Sequence, residues 1–205
     1  MRRAPVQERS AARVERMLDV CARLIDEVGY EATTTTMIAK HAEVSVGSLY
    51  QFFPDKRAVV QALAQRNLDT YLARLADVLA CSQLAHWWDM IDVAIDLWVD
   101  LHRQIPGFRV IRLGDVVDTH LLQPEEDNDQ VLAHRIFGLV QSRFGEELSA
   151  DERLAVVVLI KAADAVTQFA FRHPDGDPQI IEETKLLMNA YLQARLGAPT
   201  GPPGC

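Results

Sequence analysis

Cysteine is scarce in this chain of 205 residues, and no long apolar run is present. The three cysteines, Cys21, Cys81 and Cys205, are widely spaced and form no paired motif, so we expect neither a disulfide framework nor a zinc site. The six histidines are scattered, and none lies at ligand spacing from a cysteine or from another histidine. The longest unbroken apolar run, residues 154–160, is far too short to span a membrane.

Sequence signals for export and for catalysis are also missing. Residues 1–10 are polar and basic, unlike the apolar centre of a secretory signal. We find no nucleophile paired with a base, no metal-ligand spacing and no phosphate-binding loop. We therefore expect a cytoplasmic protein that is not an enzyme and that uses no metal or cofactor.

Charge is distributed unevenly along the chain. The net charge of −8 argues at first against a nucleic-acid partner. Residues 1–66, however, carry ten Lys or Arg against eight Asp or Glu, a net of +2, whereas residues 67–205 carry eleven against twenty-one, a net of −10. This asymmetry fits a protein that contacts phosphate groups only at its N-terminal end.

Helical periodicity dominates the sequence, and no convincing strand alternation is present. Apolar residues between 14 and 28 recur at three- and four-residue steps, the pattern of one buried helix face, and Gly29 is placed to end that helix. Thr34, Ser45 and Asp55 are suitable N-caps for the next three helices. The pattern predicts an all-α protein of about nine helices. Their expected ranges are 9–28, 34–42, 45–52, 56–80, 86–103, 108–122, 125–144, 151–172 and 179–196.

Two short helices joined by a tight turn, at 34–42 and 45–52, have the size and spacing of a helix-turn-helix. The second helix offers small and amphipathic side chains suited to a DNA groove lined with acceptors and methyl groups. They are Ser45, Val46, Ser48, Tyr50 and Gln51. Lys56, at the start of the following helix, could bind a phosphate together with free backbone N–H groups. Tyr50 is interpreted either as a core aromatic or as a phosphate contact, whereas Phe53 is expected in the core.

The same segment resembles the N-terminal signature of the TetR family of bacterial regulators. Residues 29–34 are Gly-Tyr-Glu-Ala-Thr-Thr, Ile38 and Ala39 follow, and residues 44–56 are Val-Ser-Val-Gly-Ser-Leu-Tyr-Gln-Phe-Phe-Pro-Asp-Lys. The similarity covers roughly residues 9–60, about a quarter of the chain. It implies a three-helix DNA-binding head, a linking fourth helix and a helical body that binds a ligand and dimerises.

The resemblance also implies a domain division and a function. We expect a helix-turn-helix DNA-binding domain at 1–55, and a ligand-binding and dimerisation domain at 56–196 that begins with a linking helix at 56–80. Residues 197–205 contain three prolines and three glycines and are expected to form a disordered tail. The implied function is a transcriptional regulator, a repressor that a small molecule releases from a palindromic operator. The alternative is a helical protein-interaction module that no longer binds DNA.

Individual DNA contacts follow from the same resemblance. Thr34 and Thr36 are expected to face the DNA backbone, and Tyr50 and Lys56 to hold phosphates. The major-groove set is Ser45, Val46, Ser48 and Gln51. The chain departs from the family in having Glu43 where glycine is usual in the turn. We expect a positive φ there, at a cost of about 1 kcal/mol, and weaker non-specific DNA binding.

The predicted helix at 86–103 carries an acidic stripe. Asp89, Asp92, Asp96 and Asp100 lie within an arc of about 80° on a helical projection, and the opposite face is apolar. The stripe is interpreted either as a solvated acidic edge or as an acidic wall that selects cationic ligands.

The resemblance implies a ligand cavity and a dimer interface in the body. Plain core is the first interpretation of each residue taken singly, but together they could line the cavity: Trp88, Ile91, Trp98, Phe108, His120, His134, Phe137 and Phe169. The segments 151–172 and 179–196 are more apolar than packing within one subunit requires. Paired across a twofold axis, two such hairpins would form a four-helix bundle. The expected partners are thus double-stranded operator DNA, a second copy of the chain and an unknown small-molecule effector, with no membrane partner.

Overall fold

A computed structural model describes residues 4–84, 86–108, 128–145, 147–172 and 175–197, without the side chains of 4–9 and 128–131. Within those ranges the chain forms eight α-helices and one 3₁₀ turn, and no strand, which confirms the all-α prediction. Most of the predicted helix at 108–122 and the predicted disordered tail beyond residue 197 lie outside the described residues.

The described elements follow one another along the chain in the order given next. They are α1 (Ala4–Ala32), α2 (Thr35–His41), α3 (Val46–Tyr50), α4 (Lys56–Cys81), a 3₁₀ turn (Trp87–Asp89), α5 (Met90–Gln104), α6 (Asn128–Phe144), α7 (Ala150–Ala170) and α8 (Pro178–Leu196). The single helix predicted at 86–103 is divided, because a capping box between His86 and Asp89 closes a separate 3₁₀ turn before α5 begins.

The predicted caps and turns of the N-terminal region are present. The side chains of Thr34, Ser45 and Asp55 accept hydrogen bonds from backbone N–H groups three residues later, at 3.2, 3.0 and 2.8 Å. Gly29 has φ 84° and ψ 164°, so regular helical geometry in α1 is interrupted there as predicted. Glu43 has φ 55°, which confirms the expected left-handed conformation in the turn between α2 and α3.

Two clusters of buried apolar side chains organise the chain. The first joins one face of α1 to α2, α3 and the first turns of α4, and it extends along the chain to Ala64. The second begins at Leu68 and joins the rest of α4 to α5, α6, α7 and α8. The short helices α2 and α3 are held by burying Ile38, Ala39 and Leu49 in the first cluster, since helices of this length are not stable alone. Helix α4 therefore belongs to both clusters and connects them.

Polar contacts add to this connection. Arg66 on α4 pairs with Glu15 at 3.0 Å and with Asp19 at 2.7 Å, both on α1. In the body, Arg195 near the end of α8 pairs with Asp151 at the start of α7 at 2.7 Å, so these two helices run antiparallel. None of the helices in the described ranges is long and apolar enough to cross a membrane.

Candidate nucleic-acid interface and internal cavity

Helix α3 is held in the fold by one buried side chain, and its outer side is exposed. Leu49 is fully buried, whereas Ser45, Val46 and Gln51 are exposed and Ser48 is half-buried. Half of Tyr50 is exposed, which excludes the interpretation of this residue as a core aromatic. The predicted major-groove residues are therefore accessible, and their role in the groove stays a prediction.

The hydroxyl of Tyr50 links α3 to α2. Its oxygen lies 3.2 Å from the hydroxyl oxygen of Thr35, so the two groups hydrogen bond. Thr34 and Thr36, which the sequence predicted at the DNA backbone, are exposed on either side of this pair. Thr35 was not among the predicted site residues, because its contact with Tyr50 spans fifteen positions and leaves no local pattern. Phe53, by contrast, is buried in the first cluster, as predicted.

Lys56 holds the end of α1. Its ammonium nitrogen lies 2.8 Å from the carbonyl oxygen of Tyr30, 3.4 Å from that of Glu31, and 4.1 Å from the centre of the Tyr30 ring. An ammonium group has three N–H donors, so one is left for a further acceptor such as a phosphate oxygen. Lys56, which the family resemblance predicts to contact a phosphate, therefore also holds the backbone in place at the end of α1.

A cavity of about 120 Å³ lies in the body between α4, α5, α6, α7 and α8. Its wall is almost entirely apolar. The described lining residues are Tyr71, Leu75, Trp87, Met90, Ile91, Ala94, Ile95, Trp98, Leu132, Ile136, Val156, Leu159, Ile160, Ala163, Asp164, Thr167 and Met188. A cavity of about this size, lined by apolar side chains, can accept a single small ring.

Three polar side chains on this wall have partners inside the protein. The hydroxyl of Tyr71 donates to the carbonyl oxygen of Ala94 at 3.3 Å, and that of Thr167 donates to the carbonyl oxygen of Ala163 at 2.6 Å. Burial raises the pKa of Tyr71 above its usual range, so its hydroxyl stays neutral. The carboxylate of Asp164 accepts a hydrogen bond from the Gln168 amide at 2.8 Å. The wall also includes the indole groups of Trp87 and Trp98.

The residues predicted to line a ligand cavity are dispersed. Ile91 and Trp98 are on the cavity wall. Trp88 is buried outside the described wall, and Phe108 packs against the Trp98 ring at 5.5 Å between ring centres. The remaining three described residues lie elsewhere: His134 and Phe137 line a separate depression beside Arg153, and Phe169 is half-exposed on α7. His120 lies outside the described residues. Which of these residues bind a ligand stays a prediction.

The acidic stripe lies on the outside of α5. All four aspartates are exposed, and the described wall of the cavity includes none of them. Asp92 accepts a hydrogen bond from Asn189 at 2.9 Å, and Asp96 pairs with Lys185 at 2.6 Å, so these two aspartates lie beside α8. The hydrogen bond to Asp96 raises the pKa of Lys185. The interpretation as an acidic edge is therefore supported over that of an acidic wall around the ligand.

A helix-turn-helix head on a helical body with an apolar cavity defines a class of DNA-binding regulators. Residues 17–63 match the model for bacterial regulatory proteins of the tetR family, and residues 85–196 match that for the tetracyclin repressor-like C-terminal domain. The crystal structure of a TetR-family transcriptional regulator from Streptomyces coelicolor is similar, with a TM-score of 0.77 and 37% identity over 90% of this chain and 99% of that chain. The chain belongs to the tetR family of bacterial regulatory proteins and is a DNA-binding transcriptional regulator.

Curated relatives match the chain to different extents. The transcriptional regulator HbdR of Aromatoleum sp. is 37% identical over 59 residues, which are 29% of this chain and 26% of that protein. The transcriptional regulator BetI of Cronobacter sakazakii is 23% identical over 190 residues, 90% of this chain and 91% of that protein. HbdR thus aligns over a short segment at higher identity, and BetI over most of the chain at lower identity.

Proposed function

We propose that the chain is a homodimeric repressor that leaves a palindromic operator when a small molecule fills the cavity in its body. The observation that carries the proposal is the exposed face of α3, held on the buried Leu49 anchor. Ser45, Val46, Ser48 and Gln51 enter the major groove from this face. The side chains of Thr34, Thr36, Tyr50 and Lys56 bind the phosphates on its flanks.

The head comprises residues 1–55 and the body residues 56–196, with the first part of α4 shared between them.

Two packed connections carry the effect of ligand binding from the cavity to the head. Helix α4 is continuous from the α3 side of the head to the cavity, where Tyr71 and Leu75 form part of the wall. Helix α5, which lines the cavity with Ile91 and Trp98, ends in a turn whose Gly107 packs against Ala22 on α1.

A ligand shifts the equilibrium between two arrangements of the head only if it binds the protein more tightly in one arrangement than in the other. Filling the cavity displaces α4 and α5 relative to α1. The spacing of the two recognition helices in the dimer then departs from one turn of DNA, roughly 34–36 Å.

The dimer forms through α7 and α8. The outer face of α7 carries four apolar side chains on one stripe, Leu154, Val158, Ala165 and Phe169, and α8 adds the exposed Leu186 and Leu187 beside it. The exposed Lys161 lies on the same stripe, so the surface is largely apolar with one charge, and a surface of this kind is typical of a protein interface. Two antiparallel hairpins meeting across a twofold axis bury it in a four-helix bundle.

Selection of genomic fragments on the purified protein tests the regulator proposal. At moderate salt we expect a shared palindrome among the retained fragments, and at high salt we expect retention to fall steeply, because phosphate contacts release counterions. A Tyr50→Ala, Gln51→Ala double variant is the control and should retain no shared sequence. If the wild-type protein and the double variant retain the same random fragments, the α3 face does not read DNA. The alternative of a protein-interaction module would then be preferred.

A further inference from the structure

Gly47 lies at the centre of the outer side of α3. At about 100° per residue, its position is about 160° from that of the buried Leu49 on a helical projection. On the same projection it lies between Tyr50, about 60° to one side, and Gln51, about 40° to the other. Gly47 is exposed, as are both of these neighbours. The exposed side of α3 therefore has no side chain at its middle.

The fold gives no reason for a glycine at this position. Its backbone is part of the regular helix, its carbonyl oxygen accepts a hydrogen bond from the Gln51 N–H at 3.2 Å, and it is not among the glycines with positive φ. A β-carbon built at Gly47 would meet no described atom within 4 Å. Alanine would therefore fit without strain and would favour the helix, because glycine is a poor helix former. Gly47 thus works against the stability of α3.

A missing side chain at the middle of a DNA-reading face lets the backbone approach the bases more closely than any other residue would. Gly47 has no polar side-chain atom, and its carbonyl oxygen is used within the helix. It therefore offers a base its apolar α-carbon. The preceding residue, Val46, is also apolar and exposed. In the major groove the apolar group that a base presents is the methyl group of thymine.

We propose that Gly47 is the point of closest approach between α3 and the operator, and that its α-carbon packs there on the methyl group of a thymine. The inference rests on the proposed function in taking this face of α3 as the one that enters the major groove. It adds a thymine beneath Gly47 in each half of the palindrome. A larger residue at this position holds α3 away from the bases and weakens the base contact of Gln51, while the phosphate contacts are kept.

Gly47→Ala tests the close approach on the operator recovered by genomic selection. Fluorescence anisotropy should show operator affinity lowered by about tenfold or more, as for overpacking at a close contact. Affinity for random DNA rests on phosphate contacts and should change by less than about twofold. The thermal midpoint should stay the same or rise by about 2 °C, so a loss of operator binding does not come from unfolding.

Gly138→Ala is the matched control. Gly138 is also an exposed glycine within a helix, and a β-carbon there would likewise meet nothing within 4 Å. It lies on α6 in the body, away from the face that is proposed to bind DNA. This substitution should affect the thermal midpoint in the same direction as Gly47→Ala and should leave both DNA affinities unchanged.

Operators with deoxyuridine in place of one thymine in each half-site test the methyl contact, because uracil lacks only that methyl group. At one position the wild-type protein should lose about fourfold in affinity per half-site, as for one buried methyl group. Gly47→Ala should instead bind this duplex more tightly than the thymine operator, since the new β-carbon occupies the place of the methyl group. At the other thymines the two proteins should respond alike.

Equal operator affinities of wild type and Gly47→Ala, or equal losses on operator and random DNA, would overturn the close approach. A loss on the operator that no deoxyuridine substitution relieves would overturn the thymine contact. Failure of the proposed function gives a different result: the Tyr50→Ala, Gln51→Ala variant would then bind the operator as tightly as wild type, or the wild-type protein would select no operator. Either of these would overturn both proposals.

Discussion

Gly107 lies so close to Ala22 that only glycine fits between the body and the head at this point. A β-carbon at Gly107 would lie 2.9 Å from the Ala22 β-carbon and 3.1 Å from its α-carbon. Gly107 also has φ 79°, a conformation that other residues adopt at a cost. The turn after α5 therefore contacts α1 directly, which gives the body a second connection to the head besides α4.

Replacing Gly107 by alanine should destabilise the fold. We expect a loss of about 1–3 kcal/mol in the free energy of unfolding, from left-handed strain and from overpacking against α1. Urea denaturation measures it. Gly138→Ala is the control, because Gly138 lies in α6 and an added β-carbon there meets nothing within 4 Å. That change should be neutral or stabilise by up to about 1 kcal/mol. Equal effects of the two substitutions would show that the contact with Ala22 is not tight.

Tyr50 and Gln51 should affect DNA binding in different ways. Tyr50→Ala removes a phosphate contact and should weaken binding to operator and to random DNA by the same factor. Gln51→Ala removes a base contact, so operator affinity should fall by about 1–3 kcal/mol while affinity for random DNA changes little. Fluorescence anisotropy with both DNAs at one salt concentration checks this. Equal losses on the two DNAs for Gln51→Ala would contradict its place in the groove.

Lys56→Met should change both stability and DNA binding. The loss of the ammonium bonds to the Tyr30 and Glu31 carbonyls should lower the free energy of unfolding by about 1 kcal/mol, because the group is only half-buried. The slope of log affinity against log salt should become shallower by about 1, as for one lost phosphate contact. Arg74→Met also removes one positive charge, at an exposed position in the body part of α4, and should alter neither quantity. An unchanged salt slope would show that Lys56 serves the fold alone.

Leu187→Arg should convert the dimer to a monomer. Half of this side chain is exposed in the single chain, so the substitution costs little in subunit folding, but it places a charge in the interface proposed for α7 and α8. Sedimentation equilibrium should show a single subunit mass and an unchanged helical circular dichroism spectrum. Ser142→Arg, at an exposed position on α6, should remain dimeric. A dimeric Leu187→Arg protein would place the interface elsewhere.

Cys21 should resist alkylation while Cys81 reacts. Burial raises the pKa of the Cys21 thiol from 9.0 to about 12, whereas Cys81 is exposed. At pH 8 iodoacetamide and peptide mapping should find Cys81 modified and Cys21 unmodified, since the thiolate is the nucleophile. The folded protein favours the protonated thiol, so this contribution to stability is complete below pH 9 and is lost as the pH rises toward 12. Stability should therefore fall less with rising pH in Cys21→Ala than in wild type.

Much of the head was predictable from the sequence because its determinants are local. The caps at Thr34, Ser45 and Asp55 each bond to a backbone group three residues away, and such contacts follow from residue type and spacing. The left-handed Glu43 followed from a family turn that usually contains glycine. The second short helix was predicted to expose small and amphipathic side chains, and Ser45, Val46, Tyr50 and Gln51 are exposed.

The tertiary structure alone decided which of two adjacent tryptophans lines the cavity. The sequence predicted Trp88, but Trp87 is on the wall, because the segment forms a 3₁₀ turn and its rotation relative to α5 is set by packing from other helices. The contacts of Lys56 with Tyr30 and of Gly107 with Ala22 join positions far apart in the chain. Local periodicity shows which face of a helix is apolar, but it carries no information on which neighbour that face meets, since that depends on how several helices fill the same space.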